Sequence, residues 1–295
     1  MHRYLKTWIA LVGLLILLVS AGLPFAGAQD DPPITSGLVD IGGYSLYIDC
    51  QGEGSPTVIL DSGTGSTGRA WLRVQGRIAR FTRVCSYDRA GLGGSDPSPL
   101  MPRTSQVIAE ELHTLLENAR VPGPYVLVGH SFGGHNIRLF AHTYPDEVAG
   151  MVLVDVTHED VMLRFGELSP AWEEEFINAW RDPEGITLEA WYATQEQLRA
   201  VRAEGPEPVF GDIPLVVLTA TQEDAPLTSP TDEENEAFRQ AWYDLQTDLA
   251  TMSSNSQHIF AEKSGHMIQD DEPALVVEAV QWVVEQIALE DAEGS

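Results

Sequence analysis

Gly129-His130-Ser131-Phe132-Gly133 is the stretch that decides the fold, because of what stands on either side of it. The apolar run 125–128 before it predicts a buried strand, and a helical pattern follows it. A serine at such a strand-to-helix turn has its hydroxyl above the sheet edge, and the two glycines avoid clashes in that turn. The pattern predicts Ser131 as a nucleophile and the N–H of Phe132 as a donor to a developing oxyanion.

Apolar runs alternate with helical patterns on both sides of this turn. Three of these runs, 125–128, 151–154 and 214–218, are bounded by Gly, Pro or Asp and are typical of parallel strands buried on both faces. Residues 57–60, 83–87 and 258–261 are further strand candidates. Two further runs, 38–41 and 44–50, are joined by Gly42-Gly43 and predict a β-hairpin. The alternation predicts an α/β fold with a mostly parallel sheet.

Residues 158–211 break the alternation, since they contain no convincing strand. They contain two helical patterns, 171–180 and 188–203, and we expect a small helical cap over the site. Six aromatic residues occur in this stretch: Phe165, Trp172, Phe176, Trp180, Trp191 and Tyr192. We expect most of these rings to form the core of the cap and its seam with the main domain, and one or two to line a pocket. Residues 29–157 and 212–295 are then the two parts of the main domain.

A serine hydroxyl is a weak nucleophile and needs a base. Hydrolases with this type of turn place serine, acid and histidine in that order along the chain. The last histidine, His266, lies in a loop between the final strand run and the final helical pattern, so we predict it as the base. The segment after the strand run 214–218 contains Glu223 and Asp224, of which Asp224 is the predicted acid. Glu223 and Asp155, which ends an earlier strand, are the alternatives.

Two glycine-rich loops follow strand runs. Residues 60–66, Leu-Asp-Ser-Gly-Thr-Gly-Ser, let the backbone approach a substrate closely, and we predict the N–H of Thr64 as the second oxyanion donor. Residues 87–95, Tyr-Asp-Arg-Ala-Gly-Leu-Gly-Gly-Ser, lack the patterns of phosphate-binding loops and are interpreted as the floor of the site. No metal-ligand spacing such as His-Glu-x-x-His occurs in the sequence, and we expect no cofactor.

Composition limits the partners. The sequence has 295 residues, 43% of them hydrophobic, which suits one large domain with an insertion. The formal net charge of −27 argues against nucleic acids and anionic bilayers as partners and favours a small-molecule substrate. The only cysteines, Cys50 and Cys85, are too few for a zinc cluster, and form either one disulfide or two buried thiols. The oligomeric state is left open.

The N-terminus predicts an export signal. Arg3 and Lys6 precede a nearly unbroken apolar run over residues 8–23, and Ala26-Gly27-Ala28 supplies the small residues of a cleavage site. We predict that residues 1–28 are a signal peptide, so that the mature protein is secreted or periplasmic without stable membrane insertion. The alternative is an uncleaved membrane anchor, for which the apolar run is near the lower length limit.

These motifs together resemble the α/β-hydrolase family, in its lid-bearing esterase, peroxidase and aminopeptidase-like branch. The matching segments run in family order within residues 38–289, and they are 61–64, 87–93, 129–133 and 264–266. The resemblance implies an eight-stranded, mostly parallel sheet flanked by helices, with the cap between strands six and seven. This sequence has Ser62-Gly63 where the family commonly has His-Gly, and Thr221-Gln222-Glu223-Asp224 where the acid loop is usually Gly-x-x-Asp.

The same resemblance bears on the cysteines. The sheet order of the family would place the strand that ends at Cys50 beside the strand that contains Cys85. In an exported protein these two thiols can bond. The resemblance therefore implies a Cys50–Cys85 disulfide.

The sequence thus predicts a serine hydrolase that cleaves a carboxylic ester through a Ser-His-Asp acyl-enzyme mechanism. An aminopeptidase of the same fold is the first alternative, with a cap glutamate as the ligand of the substrate amine; the candidates are Glu173, Glu174, Glu175, Glu189 and Glu196. A non-catalytic binding protein on the same scaffold is the second alternative, and perhydrolysis uses the same residues. Epoxide hydrolase and dehalogenase chemistry needs an aspartate as nucleophile, whereas position 131 is serine.

Overall fold

The computed structural model describes residues 33–179, 183–222 and 231–293. The β-strands in these ranges are β1 (Ser36–Asp40), β2 (Ser45–Gln51), β3 (Thr57–Asp61), β4 (Val84–Asp88), β5 (Tyr125–His130), β6 (Val148–Val154), β7 (Leu215–Ala220) and β8 (Ser256–Ala261). The α-helices in the same ranges are α1 (Gln75–Ile78), α2 (Ser105–Asn118), α3 (Gly133–Thr143), α4 (Val161–Leu168), α5 (Pro170–Ala179), α6 (Leu188–Glu204), α7 (Asp232–Ala250), α8 (Ile268–Asp271) and α9 (Pro273–Glu293).

The strands form a single sheet in the order β1-β2-β4-β3-β5-β6-β7-β8. β2 is antiparallel to both of its neighbours, β1 and β4, and all other neighbouring strands are parallel. The turn between β1 and β2 contains Gly42 and Gly43 at φ values of +118° and +98°, which favour glycine. The expected α/β fold, with an eight-stranded and mostly parallel sheet flanked by helices, is confirmed.

Both faces of the sheet are buried under helices. In β5, Val126 and Val128 pack into the same core cluster as Val280 of α9. Leu127, which points to the other face, packs into the cluster that contains Leu112 of α2. Burial on both faces explains why the parallel strands are continuous apolar runs rather than alternating ones. The carboxyl ends of the parallel strands then lie at one edge, where ligands bind in such sheets.

Between β6 and β7 the chain forms helices α4, α5 and α6, which lie within the stretch 158–211 that the sequence predicts as a cap. The helical patterns at 171–180 and 188–203 correspond to α5 and α6, whereas α4 has no counterpart in the sequence-based expectation. We call residues 158–211 the cap from here on.

The cap contacts the main domain on two sides. The N–H of Ser105, at the start of α2, donates to Thr194 Oγ1 of α6 at 3.0 Å. On the other side Phe165 of α4 packs edge-on against Phe238 of α7, with ring centroids 5.0 Å apart. The cap is therefore joined to helices that follow both β4 and β7.

Cys50 and Cys85 are directly opposite each other in the antiparallel pair β2–β4. The structure joins them in a disulfide with an S–S distance of 2.05 Å. The bond closes a loop between residues 35 positions apart and ties the β1–β2 hairpin to the parallel part of the sheet.

In the ranges that the structure describes, no helix has both the length and the apolar character that crossing a bilayer requires. The predicted signal peptide, residues 1–28, lies outside these ranges.

Candidate active site

The turn between β5 and α3, which we call the elbow, places Ser131 in a backbone conformation that residues other than glycine rarely adopt. Its φ is +52°, in the left-handed region, and such strain persists only where the surroundings determine it. Hydrogen bonds to β6 and to the loop that follows it hold Ser131 in this conformation. Ser131 N–H donates to Val154 O at 3.2 Å, and Thr157 N–H donates to Ser131 O at 3.2 Å. Ser131 is half-buried at the carboxyl edge of the sheet.

The two motif glycines are required by close backbone contacts. A Cβ atom on Gly129 would lie 2.8 Å from Gly134 N, and one on Gly133 would lie 2.5 Å from Asp61 O. Both contacts are with backbone, which cannot move aside as a flexible side chain can. The tight turn therefore needs glycine at both positions, as the motif predicts.

His266 and Asp155 form a hydrogen-bonded pair at the same edge. His266 Nδ1 lies 2.7 Å from Asp155 Oδ2; the His266 side chain is 36% exposed and that of Asp155 only 4%. Because a carboxylate only accepts hydrogen bonds, Nδ1 carries the proton and Nε2 is the basic nitrogen of the neutral imidazole. This is the arrangement by which a carboxylate orients a histidine that acts as a general base.

Asp155 itself is positioned from two directions. It follows β6 directly, with a φ of +43°. Its Oδ1 accepts the N–H of Ala220, at the end of β7, and the indole N–H of Trp242, in α7, both at 3.0 Å. With Oδ1 occupied in this way, Oδ2 is the oxygen that faces His266.

The predicted acid, Asp224, lies outside the described residues, and so does Glu223. The carboxylate that the structure places against His266 is that of Asp155, the alternative at the end of the earlier strand. The physical reason is the strand order: β6 is the direct neighbour of β5, so a residue at its end lies closer to the elbow than the end of β7 does. The signal in the sequence is an aspartate directly after the apolar run 151–154.

His130 connects the elbow to the loop of His266. Its Nε2 lies 2.9 Å from the backbone O of His266, and the two rings have centroids 4.6 Å apart. Burial, reinforced by the neighbouring His266, lowers the pKa of His130 to about 3. His130 is therefore neutral near pH 7 and donates from Nε2 to the carbonyl. This bond holds the backbone of His266 beside His130, the residue that precedes Ser131.

The loop after β3 approaches the elbow as closely as the sequence suggests. A Cβ atom on Gly63 would lie 2.9 Å from His130 Nδ1 and 3.2 Å from Ser131 Cβ. Thr64, the predicted donor, is the next residue and is exposed. Phe132, the other predicted donor, is the N-cap residue of α3, where backbone N–H groups have no partner within the helix. The two predicted donors therefore belong to backbone next to Ser131, one in the residue after it and one in the loop that contacts it.

The second glycine-rich loop supplies a buried cation beneath this site. Arg89, which is 2% exposed, donates to Asp61 Oδ1 at 2.6 Å. It also donates to the backbone oxygens of Ser62 at 2.5 Å and Gly63 at 2.7 Å. Ser62, which replaces the usual histidine, donates its hydroxyl to Thr67 O at 2.8 Å. The interpretation of residues 87–95 as a floor therefore understates their role, because Arg89 anchors residues 60–66, which we call the oxyanion loop after the role predicted for it.

A row of aromatic rings leads from the elbow into the cap. Phe132 is stacked on Trp191 with centroids 5.4 Å apart, and Phe176 lies 6.0 Å from Trp191. Trp172 stacks on Phe176 at 5.5 Å and contacts Phe165 at 4.9 Å. The expected seam of cap aromatics is thus present beside the elbow; Trp180 lies outside the described residues.

Of the five cap glutamates that could bind an amine, the three whose side chains the structure describes are exposed. Glu196 pairs with Arg199 on the surface at 2.9 Å. Glu174 and Glu189 are exposed, and the side chains of Glu173 and Glu175 lie outside what the structure describes. Among the described residues, no group of three or more His, Cys, Asp or Glu side chains is arranged to hold a metal ion.

The eight-stranded sheet, the strained elbow and the capped edge define a hydrolase of the α/β class. Comparison with known proteins agrees: the model of the family described as "Alpha/beta hydrolase family" matches residues 58–279. This chain belongs to the α/β-hydrolase family.

Its relatives differ in length and name. YqjL of Bacillus subtilis is 29% identical over 229 residues, which cover 77% of this chain and 82% of that protein. The transporter-named protein efuK of Hormonema carpetanum is 25% identical over 297 residues, which cover 85% of this chain but 43% of that protein. This chain therefore spans less than half of the length of that longer relative.

Among solved structures, an esterase from Thermogutta terrifontis has a TM-score of 0.60 and 19% identity, with 85% of this chain and 98% of that chain covered. The epoxide hydrolase CorEH has a TM-score of 0.58 and 18% identity, with 86% and 99% covered. At this level of identity the likeness shows the fold alone.

Proposed function

We propose that this protein is a serine hydrolase that cleaves a carboxylic ester, with Ser131 as nucleophile, His266 as base and Asp155 as acid. The observation that carries the proposal is the contact of 2.7 Å between His266 Nδ1 and Asp155 Oδ2, beside a serine whose φ is +52°. The proposal replaces Asp224 by Asp155 and keeps the other two residues that the sequence suggests.

In this mechanism His266 takes the proton of Ser131 as the hydroxyl oxygen attacks the ester carbonyl. The N–H groups of Phe132 and Thr64 stabilise the oxyanion that forms. His266 then gives the proton to the departing alcohol, and a water molecule hydrolyses the acyl-enzyme by the same route. Asp155 keeps the proton on Nδ1 and stabilises the imidazolium during both steps.

The surroundings of the site favour an ester with an apolar acyl or aryl part. Phe132 and Trp191 are buried and pack with the partly buried Phe176 in one apolar cluster that connects the elbow to the cap. An amine-binding carboxylate would favour the aminopeptidase alternative instead. The cap glutamates described above are exposed or paired on the surface, which weighs against it.

Epoxide hydrolysis is less consistent with the residues present. An enzyme that opens an epoxide on this fold forms an alkyl ester with an aspartate, whereas the elbow residue here is Ser131. The likeness of the chain to CorEH is a likeness of fold. The hydroxyl nucleophile supports acyl transfer.

The test uses a panel of p-nitrophenyl esters of graded chain length together with aminoacyl anilides. The wild type is expected to hydrolyse esters and to be labelled by a fluorophosphonate probe, and Ser131→Ala is expected to do neither. Turnover of anilides above that of all esters would favour the aminopeptidase. Absence of Ser131-dependent labelling of the folded protein would favour a non-catalytic binding protein.

We also propose that the protein is exported after removal of residues 1–28. The Cys50–Cys85 disulfide supports this proposal, because such bonds persist in oxidising compartments. N-terminal sequencing of the exported protein is expected to begin at Gln29. Recovery of the intact N-terminus from the membrane fraction would contradict cleavage and favour an anchor.

A further inference from the structure

Glu184 is a residue of the cap whose side chain reaches into the oxyanion loop. It lies in the short 3-10 helix Pro183–Gly185, between α5 and α6, and its side chain is fully buried. Its Oε1 accepts the N–H of Gly65 at 2.7 Å and Arg89 Nη2 at 2.7 Å. Its Oε2 accepts Arg89 Nε at 2.7 Å. Both carboxylate oxygens are therefore used inside the protein.

The backbone of Glu184 is constrained as firmly as its side chain. Its φ is +63°, in the left-handed region that a non-glycine residue rarely occupies. Its carbonyl accepts Arg103 Nη1 at 2.9 Å, and Arg103 is itself buried and paired with Glu111 at 2.7 Å. A strained backbone conformation that the surrounding contacts hold in place is typical of functional sites.

Arg89 links Glu184 to the oxyanion loop, because it binds groups of both. Burial by itself lowers the pKa of the Arg89 guanidinium, but the carboxylates of Glu184 and Asp61 outweigh burial, and the pKa is raised above its ordinary value. The guanidinium therefore stays charged between two carboxylates. One of these belongs to β3 and the other to the cap, so that the position of the guanidinium depends on both.

The orientation of the Thr64 N–H follows from the same contacts. In a trans peptide the carbonyl and the N–H point in opposite directions. The carbonyl of Gly63 points to Arg89 Nη2, at 2.7 Å, so the N–H of the same peptide, that of Thr64, points away from Arg89. The next peptide is fixed by the bond from Gly65 N–H to Glu184. Two successive peptides of the oxyanion loop thus depend on Glu184, one through Arg89 and one directly.

We propose that Glu184 is a positioning residue of the oxyanion hole, which forms fully only while this segment of the cap is docked. The inference rests on the proposed function, since it concerns the same site. Glu184 touches no reacting atom; it acts through Arg89 and Gly65. A substrate that displaces the cap segment is then a poor substrate even if it reaches Ser131.

The kinetic test compares Glu184→Gln with a control, Glu204→Gln, which changes an exposed glutamate of the same cap. The concentration of active sites is titrated first, so that a partly unfolded preparation does not imitate a catalytic defect. With the best p-nitrophenyl ester of the panel, we expect kcat per titrated site to fall roughly 10- to 100-fold in Glu184→Gln, with KM within a few-fold. The control is expected to match the wild type.

A trifluoromethyl ketone inhibitor supplies a second readout, because its adduct with Ser131 carries an oxyanion. Its Ki is expected to rise in Glu184→Gln by about the factor by which kcat/KM falls. A variant that loses only titratable sites, with wild-type kcat and Ki at the remaining ones, would show a structural role and overturn the inference.

Amide exchange tests the inference independently of any activity. Exchange of a peptide that covers residues 62–67 is expected to be faster in Glu184→Gln than in the wild type and in Glu204→Gln. Unchanged exchange of this peptide would also overturn the inference. If the wild type hydrolyses no ester, the proposed function fails, and the exchange experiment still decides whether Glu184 orders the loop.

Discussion

The two sides of Ser131 are held by different kinds of contact. On the oxyanion side, Arg89 lies between the carboxylates of Asp61 and Glu184, and all three side chains are buried. On the acid–base side, Asp155 accepts two neutral N–H groups, and its partner His266 is partly exposed. Buried ion pairs hold the first side, whereas hydrogen bonds from neutral donors to the Asp155 carboxylate hold the second.

This difference matches what the proposed mechanism requires of each side. Donors of an oxyanion hole stabilise the transition state best when they do not have to reorganise. A base, in contrast, has to gain and lose a proton and to face both the serine and a leaving group. Buried ion pairs give rigidity but are costly to break, since removal of one partner costs about 3–5 kcal/mol. A hydrogen bond from a neutral donor to a carboxylate contributes less, about 1.5–3 kcal/mol.

The largest expected effect on activity is on the acid–base side. Asp155→Asn keeps the shape of the side chain but removes the charge that fixes the tautomer of His266. We expect kcat to fall about 10⁴-fold, measured with the best p-nitrophenyl ester. Asp224→Asn is the matched control and is expected to stay within a few-fold of the wild type. The opposite ranking would return the acid to the end of β7.

The largest expected effect on stability is on the oxyanion side. Arg89→Met leaves Asp61 and Glu184 buried without their shared cation, so the free energy of unfolding is expected to fall by about 3–5 kcal/mol. Urea denaturation measures this loss. The control is Arg164→Met, whose pair with Glu167 is on the surface and is expected to matter by less than about 1 kcal/mol. Similar losses of unfolding free energy in both variants would show that the buried ion pairs of the oxyanion side are no harder to break than a surface pair.

Trp242→Phe is a smaller change on the acid–base side, because it removes one hydrogen bond to Asp155 and leaves the carboxylate in place. The substitution keeps an aromatic ring but removes the N–H that donates to Asp155 Oδ1 at 3.0 Å. Since a hydrogen bond to a charged group contributes about 1.5–3 kcal/mol, we expect kcat to fall roughly tenfold or somewhat more. Trp282→Phe, in α9, is the control for the loss of an indole. Wild-type kinetics in Trp242→Phe would show that Ala220 alone positions the carboxylate.

The smallest expected effect near neutral pH, which grows as the pH falls, is a pH dependence of stability on the acid–base side. The pKa of His130 is lowered to about 3 in the folded protein, chiefly by burial, against an ordinary value near 6.5. Above about pH 6.5 both states are neutral; below it the unfolded chain binds a proton that the folded protein does not bind, so stability falls with falling pH. The contribution is about 1.4 kcal/mol per pH unit, from about pH 6.5 down to about pH 3.

His130→Gln is expected to make the plot of unfolding free energy against pH less steep over this range, whatever its effect at neutral pH. His142→Gln, which changes an exposed histidine, serves as control and is expected to keep the wild-type slope. Equal slopes in all three proteins would show that His130 takes up its proton in the folded state.

The parts of the site that could be predicted from the sequence are those with local signals. Ser131 and its two glycines are adjacent in the chain, and the turn that they form needs those residue types. The sheet was predictable for a similar reason, because burial of both faces leaves continuous apolar runs. Thr64 follows from a glycine-rich loop directly after a strand, and His266 from its place after the last strand.

The acid and its supports depend on contacts between distant segments. All parallel strands end at the same edge, so several carboxylates were plausible partners of His266, and only the spatial order of β5 and β6 favours Asp155. Trp242 and Glu184 reach the site from α7 and from the cap, and no spacing in the sequence connects them to Asp155 or Gly65. Helical patterns predict that such segments are helices but not which polar group each one brings to the site.

The central claim is that Asp155 holds the imidazole of His266 beside Ser131. Proton NMR tests it most directly, because an imidazole N–H that donates to a buried carboxylate gives a resonance far downfield of ordinary amides. We expect this resonance in the wild type and in Asp224→Asn, and its loss in His266→Gln and in Asp155→Asn. A resonance that survives in Asp155→Asn and disappears in Asp224→Asn would contradict the account.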